Sequence, residues 1–161
     1  QSFGTTISDL YQARVAIEPQ VVRWLSTKPE RIAIKRLRAE IERLRVLLTS
    51  NRLDDFLEAV NEFHATLVDV TGTKTLTFMN QLLINLLSRH QEDYKHRHPL
   101  DHDVRRKGLQ AGLKSYEKLV DLIESGQVEE AVKHWRLHLT NANATWAADN
   151  EGARIVDSLG A

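Results

Sequence analysis

The chain has no cysteine, three prolines and seven glycines in 161 residues, and no surplus of either charge: 22 Lys and Arg stand against 22 Asp and Glu. Each shortage excludes something. Without cysteine there is no disulfide, no thiolate metal site and no cysteine nucleophile, and a reducing compartment, the cytoplasm, is expected. Without a basic excess the chain is not expected to hold nucleic acid by itself, because a phosphate footprint needs surplus Lys and Arg. The longest apolar runs, such as Leu82-Leu83-Ile84 and Leu86-Leu87, fall far short of the ~20 residues that span a bilayer, so no membrane partner is expected. The opening Gln1-Ser2-Phe3-Gly4 is polar and uncharged and does not read as a signal peptide. A start at Gln rather than Met is read as that of a processed or excised piece, with a segment expected upstream.

What is present is apolar spacing of three and four, broken rarely by Gly or Pro, and this predicts long helices. The first runs from about Ile7 to Ser26, with Leu10, Val15, Val22 and Leu25 inward and a kink expected near Pro19. The second runs from about Pro29, a favourable first-turn residue, to Ser50 through Leu37, Ile41, Leu44 and Leu48. The third, about Leu53 to Val70, carries Phe56, Leu57, Val60, Phe63 and Leu67 and ends at Gly72 as a left-handed cap. The fourth, about Lys74 to His96, is read inward through Phe78, Leu82, Leu86 and His90. The fifth starts from a cap at Asp101 or Asp103 and closes at Gly126; the sixth runs from about Val128 to Ala148. A last apolar pattern, Ile155, Val156 and Leu159, is too short to stand alone. The expected fold is one all-α domain over residues 1–161, an antiparallel bundle of six to seven helices.

Three polar residues fall in inward registers, His64, Tyr116 and His138, and Arg14 stands out as the only cation of the first helix before Arg23. The ordinary explanation of each is bland. An inward His is most often a satisfied core group, a Tyr keeps its hydroxyl at the edge, and an Arg snorkels to the surface. His134 and His138 share a helix face at a spacing able to hold a metal, although that pattern is weak by itself. His90, His96, His98 and His102 crowd the end of the fourth helix, but Lys95, Arg97, Arg105 and Arg106 would repel a cation, and a solvated loop is expected there. Catalytic templates are missing. There is no GxSxG, no phosphate-binding loop and no HExxH, and Glu130 and His134 are one residue too far apart for a di-iron motif. The carboxylates are read as lying on exposed faces, and no enzyme is expected.

The order of segments carries further information. Asp9-Leu10-Tyr11-Gln12-Ala13-Arg14-Val15-Ala16-Ile17-Glu18-Pro19 resembles the opening helix of the FCD domain, the C-terminal effector domain of FadR-type regulators in the GntR family, where an Arg-x-x-(Ile/Leu)-Glu-Pro pattern is common. Glu62-Phe63-His64-Ala65-Thr66-Leu67 with Thr71-Gly72 resembles its Phe-His segment and turn. Tyr116-Glu117-Lys118-Leu119 through Gln127 resembles the helix before its Gly-containing turn, and Glu130-Ala131 through Trp135-Arg136-Leu137-His138-Leu139 resembles its closing His-Leu helix. The match spans about Ser8 to Asp149.

This resemblance implies a small-ligand sensor that follows a winged helix-turn-helix DNA-binding domain, absent from this chain, and a homodimer that touches DNA only through that domain. Many members of the family carry a divalent metal on one Asp and three His. Here the Asp position is Val60, with Asn61 one register off, and one His position is Tyr116; only His64 and His138 match. No cofactor is therefore expected, and Zn, Ni or Mn at His64, His138 and His134 is disfavoured. The expected effector site is Arg14, His64, Tyr116 and His138, with Val60, Leu67 and Trp135 as walls. It would bind an organic acid, carboxylate or acyl in type, without a metal. The rivals are a metal-dependent sensor or hydrolase, and a helical interaction module that takes no small ligand.

Overall fold

The computed structural model describes residues 4–146 and 152. Among them are six helices and no strand: α1 (Ile7–Thr27), α2 (Arg31–Thr49), α3 (Leu53–Asp69), α4 (Lys74–Arg97), α5 (His102–Glu124) and α6 (Val128–Trp146). The all-α bundle expected from spacing is the observed fold. The Ile155, Val156 and Leu159 pattern, and the predicted end of the sixth helix, lie outside the described residues.

Local chemistry sets the helix ends. Thr6 and Asp9 form a reciprocal capping box at α1, the Thr6 side chain accepting from Asp9 N–H and the Asp9 carboxylate from Thr6 N–H at 2.8 Å. Asp101 caps α5 by accepting from the N–H groups of Asp103 and Val104. Gly72 and Gly126 take φ of +73° and +68° just past α3 and α5, a region where a side chain is strained. Pro29 does not open α2. The helix begins at Arg31 with Glu30 as its cap, which leaves Pro29 in the preceding turn. Pro19 stands inside a helix that continues to Thr27.

α1 is the hub of the bundle. It lies along α6 and also touches α3, α4 and α5, while α2 packs between α3 and α5 and α4 covers α3. The core between α2, α3, α5 and α6 buries Leu37, Leu44, Phe56, Phe63, Leu119 and Trp135 almost completely. A smaller cluster of Ile7, Leu10, Tyr11, Leu83 and Leu87 seals α1 against α4.

The inward stripe of α4 differs from its predicted phase. Phe78 and Leu82 are exposed, at 65% and 45%, and the buried face is Leu83, Ile84, Leu87, His90 and Gln91. Adjacent apolar pairs on this helix make two stripes, and spacing alone cannot say which one faces the core. His90 likewise leaves the expected solvated cluster. It is buried, with Nε2 3.2 Å from the Trp146 carbonyl oxygen. His96 and His102 are exposed as predicted, and His98 is half-buried, stacked on Tyr94 with ring centroids 4.4 Å apart.

Candidate functional site

At the centre of the bundle lies a carboxylate that the sequence reading placed on the surface. Glu18 is 0% exposed. Both of its oxygens stand 2.9 Å from His64 Nδ1, and Oε2 accepts the indole N–H of Trp135 at 2.8 Å. Arg14, one turn earlier on α1 and 4% exposed, brings Nε to 3.5 Å from Oε1. A carboxylate can only accept, so His64 carries its proton on Nδ1 and presents a lone pair at Nε2. The signal for Glu18 was its register: Tyr11, Arg14, Glu18, Val22 and Leu25 follow one buried face of α1, so the two charges occupy core positions.

The four residues expected to form a site are brought together around this carboxylate. Tyr116, from α5, meets His64 edge-on at 6.0 Å and His138 at 5.1 Å. His138, from α6, stacks on Trp135 with centroids 4.5 Å apart and planes 7° from parallel. Neither Arg14 nor Tyr116 follows its ordinary surface explanation, since both are buried. Of the expected walls, Leu67 and Trp135 are buried; Val60 is only half-buried, because the interior position on that turn of α3 is Asn61.

The electrostatics follow from burial. Burial alone would push the Glu18 carboxyl up. His64, Arg14 and the Trp135 N–H outweigh it and hold the group below the usual carboxylate range. Burial lowers the pKa of His64 against the pull of Glu18, and it pushes His138 down to about 3, with His64 adding to the effect. Burial raises Tyr116 above an ordinary phenol. One protonation state satisfies all of this at neutral pH: Arg14 cationic, Glu18 anionic, both histidines and Tyr116 neutral.

Arg14 is left with unspent capacity. Its Nε and Nη2 are buried and have no hydrogen-bond partner. Buried donors are nearly always satisfied, and a guanidinium carries five of them in a fixed fork.

The donor set does not fit the metal that many relatives of the resemblance carry. The Asp position is Val60, Tyr116 replaces an imidazole, and Glu18 occupies the Nδ1 side of His64. His134 points elsewhere, its Nε2 2.9 Å from the Ser115 carbonyl oxygen. Among the described residues no group of three or more His, Cys, Asp or Glu is arranged to hold an ion.

Two surface grooves lie away from this centre. One of about 580 Å³ runs between α2 and α3, beside Glu42, Val46 and Asp55; one of about 200 Å³ lies between α3 and α4, beside Asp69 and Asn80.

The sequence pattern of the FCD domain matches residues 9–141. The chain belongs to the FCD domain family. FCD domains are the regulatory, effector-binding domains of GntR-type regulators and are not enzymes. No curated protein and no solved structure matches the chain. No helix among the described residues is long and apolar enough to cross a membrane.

Proposed function

We propose that this FCD domain is the ligand-sensing part of a FadR-type regulator and binds a small organic acid, carboxylate or acyl in type, at Arg14, His64, Tyr116 and His138 without a metal ion. One observation carries the reading: a buried guanidinium whose Nη2 has no hydrogen-bond partner and whose Nε meets Glu18 only as an ion pair at 3.5 Å, beside a carboxylate already engaged by His64 and Trp135. An anion arriving at Arg14 receives charge-assisted hydrogen bonds in a desolvated setting, where they are strongest. Tyr116 and the imidazoles add single polar contacts, and Trp135 and Leu67 add apolar area.

The same reading gives the domain a homodimer and a DNA-binding domain preceding it in a cytoplasmic regulator. The exposed stripe Phe78, Met79 and Leu82 supports self-association. From Thr75 to Ser88 α4 carries no charge, so two copies of this face meet without repulsion. Ligand then acts by population shift, favouring one arrangement of the DNA-binding domains in proportion to its differential affinity for the two states.

Calorimetric titration against a carboxylate and acyl-CoA library tests the proposal. Arg14→Ala is expected to weaken the hit by about 10- to 100-fold and Tyr116→Phe by less. Unchanged affinity in both variants removes these residues from the site. Elemental analysis of protein purified without chelator tests the metal-free part; one bound equivalent of Zn, Ni or Mn, lost in His64→Ala, overturns it. A second reading, the interaction module without a small ligand, is favoured by the close packing of His64 against Glu18 and of His138 against Trp135. It predicts no hit in the library.

A further inference from the structure

Away from the bundle centre, three helix faces meet at the groove of about 200 Å³ beside Asp69 and Asn80. α3 contributes Glu62, Thr66 and Asp69, whose spacing of four and three puts them on one stripe, and α4 contributes Thr77 and Asn80. α2 adds Arg36, whose Nη2 stands 2.7 Å from Asp69 Oδ2. Charge is unbalanced here. Glu62 pairs with no cation among the described residues, and neither does Glu40, which accepts the Thr66 hydroxyl at 3.3 Å. Three carboxylates thus face one guanidinium, and two negative charges are left uncompensated. A second observation is independent of the charge. Asn80 is 1% exposed, and its Oδ1 is buried with no hydrogen-bond partner. Buried amide oxygens are nearly always paired, so an unpaired acceptor on the lining of a groove marks a place for a donor from outside the chain.

The missing partner is a hydrogen-bond donor, and the missing charge is a double positive one. We infer that this groove binds a short linear diammonium ion, one ammonium at Asn80 Oδ1 and the second Asp69 oxygen, the other at Glu62 on the side of Glu40. Glu62 and Asp69 are seven residues apart on α3, about 10 Å along a helix, a span that a short diamine and two flexible carboxylate side chains bridge together. Between these ends Ala65 and the methyl-bearing Thr66 and Thr77 offer apolar surface to a methylene chain. A divalent metal ion fits less well. Among the described residues no three His, Cys, Asp or Glu converge to hold one, whereas ammonium groups need only separate acceptors along a groove. The groove shares no residue with the Arg14 cluster, so this inference stands or falls apart from the effector reading above.

Chemical-shift titration of the nitrogen-15-labelled chain at low ionic strength tests the assignment, with the diamine cadaverine, its monoamine counterpart pentylamine and magnesium chloride as probes. Cadaverine is expected to move the amide signals of Glu62, Thr66 and Asn80 and to bind about threefold or more tightly than pentylamine, a margin that high salt removes. Glu62→Gln, a near-isosteric change at an exposed position, is expected to bring the two amines level, and Asn80→Leu is expected to weaken both. The comparison of the two amines on the unmodified chain needs no variant to fold, and Glu62→Gln stands in if Asn80→Leu melts. Any of four results overturns the inference: no movement of these signals by cadaverine at millimolar concentration, equal binding of the two amines, a diamine margin that survives Glu62→Gln, or shifts centred on His64 and His138 instead. Magnesium moving the same signals at lower concentration than cadaverine overturns it in favour of a metal site.

Discussion

The interior around Glu18 and the rim between α2 and α5 treat charge in opposite ways. The rim is dense with it. Arg38 reaches Asp121 at 3.0 Å and also pairs with Glu124, while Arg45 reaches Glu117 at 2.6 Å and also pairs with Glu42. All of these groups remain substantially wetted, and such pairs contribute little each. The interior holds one cation and one anion, both almost wholly dry, with His64 and Trp135 as the remaining partners. There every contact matters, because removing one member strands the others away from water. The number of ion pairs is thus a poor guide to where stability resides in this molecule; desolvation is the better one.

The largest break in this contrast should come from Glu18→Ala. It strands the Arg14 charge and leaves the His64 and Trp135 N–H groups unpaired, so chemical denaturation should show a loss of about 3–5 kcal/mol. Acidification should come next. The folded pKa of His138 lies near 3 against an ordinary 6.5, and that of His64 is also lowered, so the unfolded chain binds these protons more readily. Their contribution is complete above about pH 6.5 and is lost as pH falls toward the folded values; Glu18, also lowered, adds its own loss below the ordinary carboxylate range. Between pH 6.5 and 5 a melting series should register about 1–2 kcal/mol of destabilisation from His138, with His64 adding in the same direction, and His138→Phe should flatten part of the slope. Arg38→Ala on the rim should cost less than about 1 kcal/mol and should lose even that in high salt. Leu82→Glu should leave the melting temperature of the monomer nearly unchanged while shifting the sedimentation profile from dimer toward monomer; unaltered sedimentation would remove α4 from the association face.

Much of the bundle was legible because its helices repeat apolar residues at one spacing and stop at residues with clear conformational roles. α2 is the plainest case: Leu37, Ile41, Leu44 and Leu48 were expected inward and all are buried. α4 was misphased because Leu82-Leu83 and Leu86-Leu87 place apolar side chains on two adjacent faces, and the choice between them is made by α1 and α3, which no local pattern encodes. The convergence of His64, Tyr116 and His138 is legible through register and resemblance together, and that of Arg14 through resemblance. Glu18 stands within the same motif, but its residue type points to an exposed face. Arg-x-x-x-Glu also has the i,i+4 spacing of an ordinary surface ion pair, and only its alignment with Tyr11 and Val22 distinguishes the buried case. Asn61 lies one residue out of the expected register, yet it, and not Val60, is the interior group.

Pro19 directly follows the central carboxylate and has no N–H to offer the Val15 carbonyl one turn back. The rod therefore lacks one rung at the level of its buried charges. A ligand of the kind proposed, entering by parting α1 from its neighbours, would bend the helix at a level where one backbone hydrogen bond is already missing.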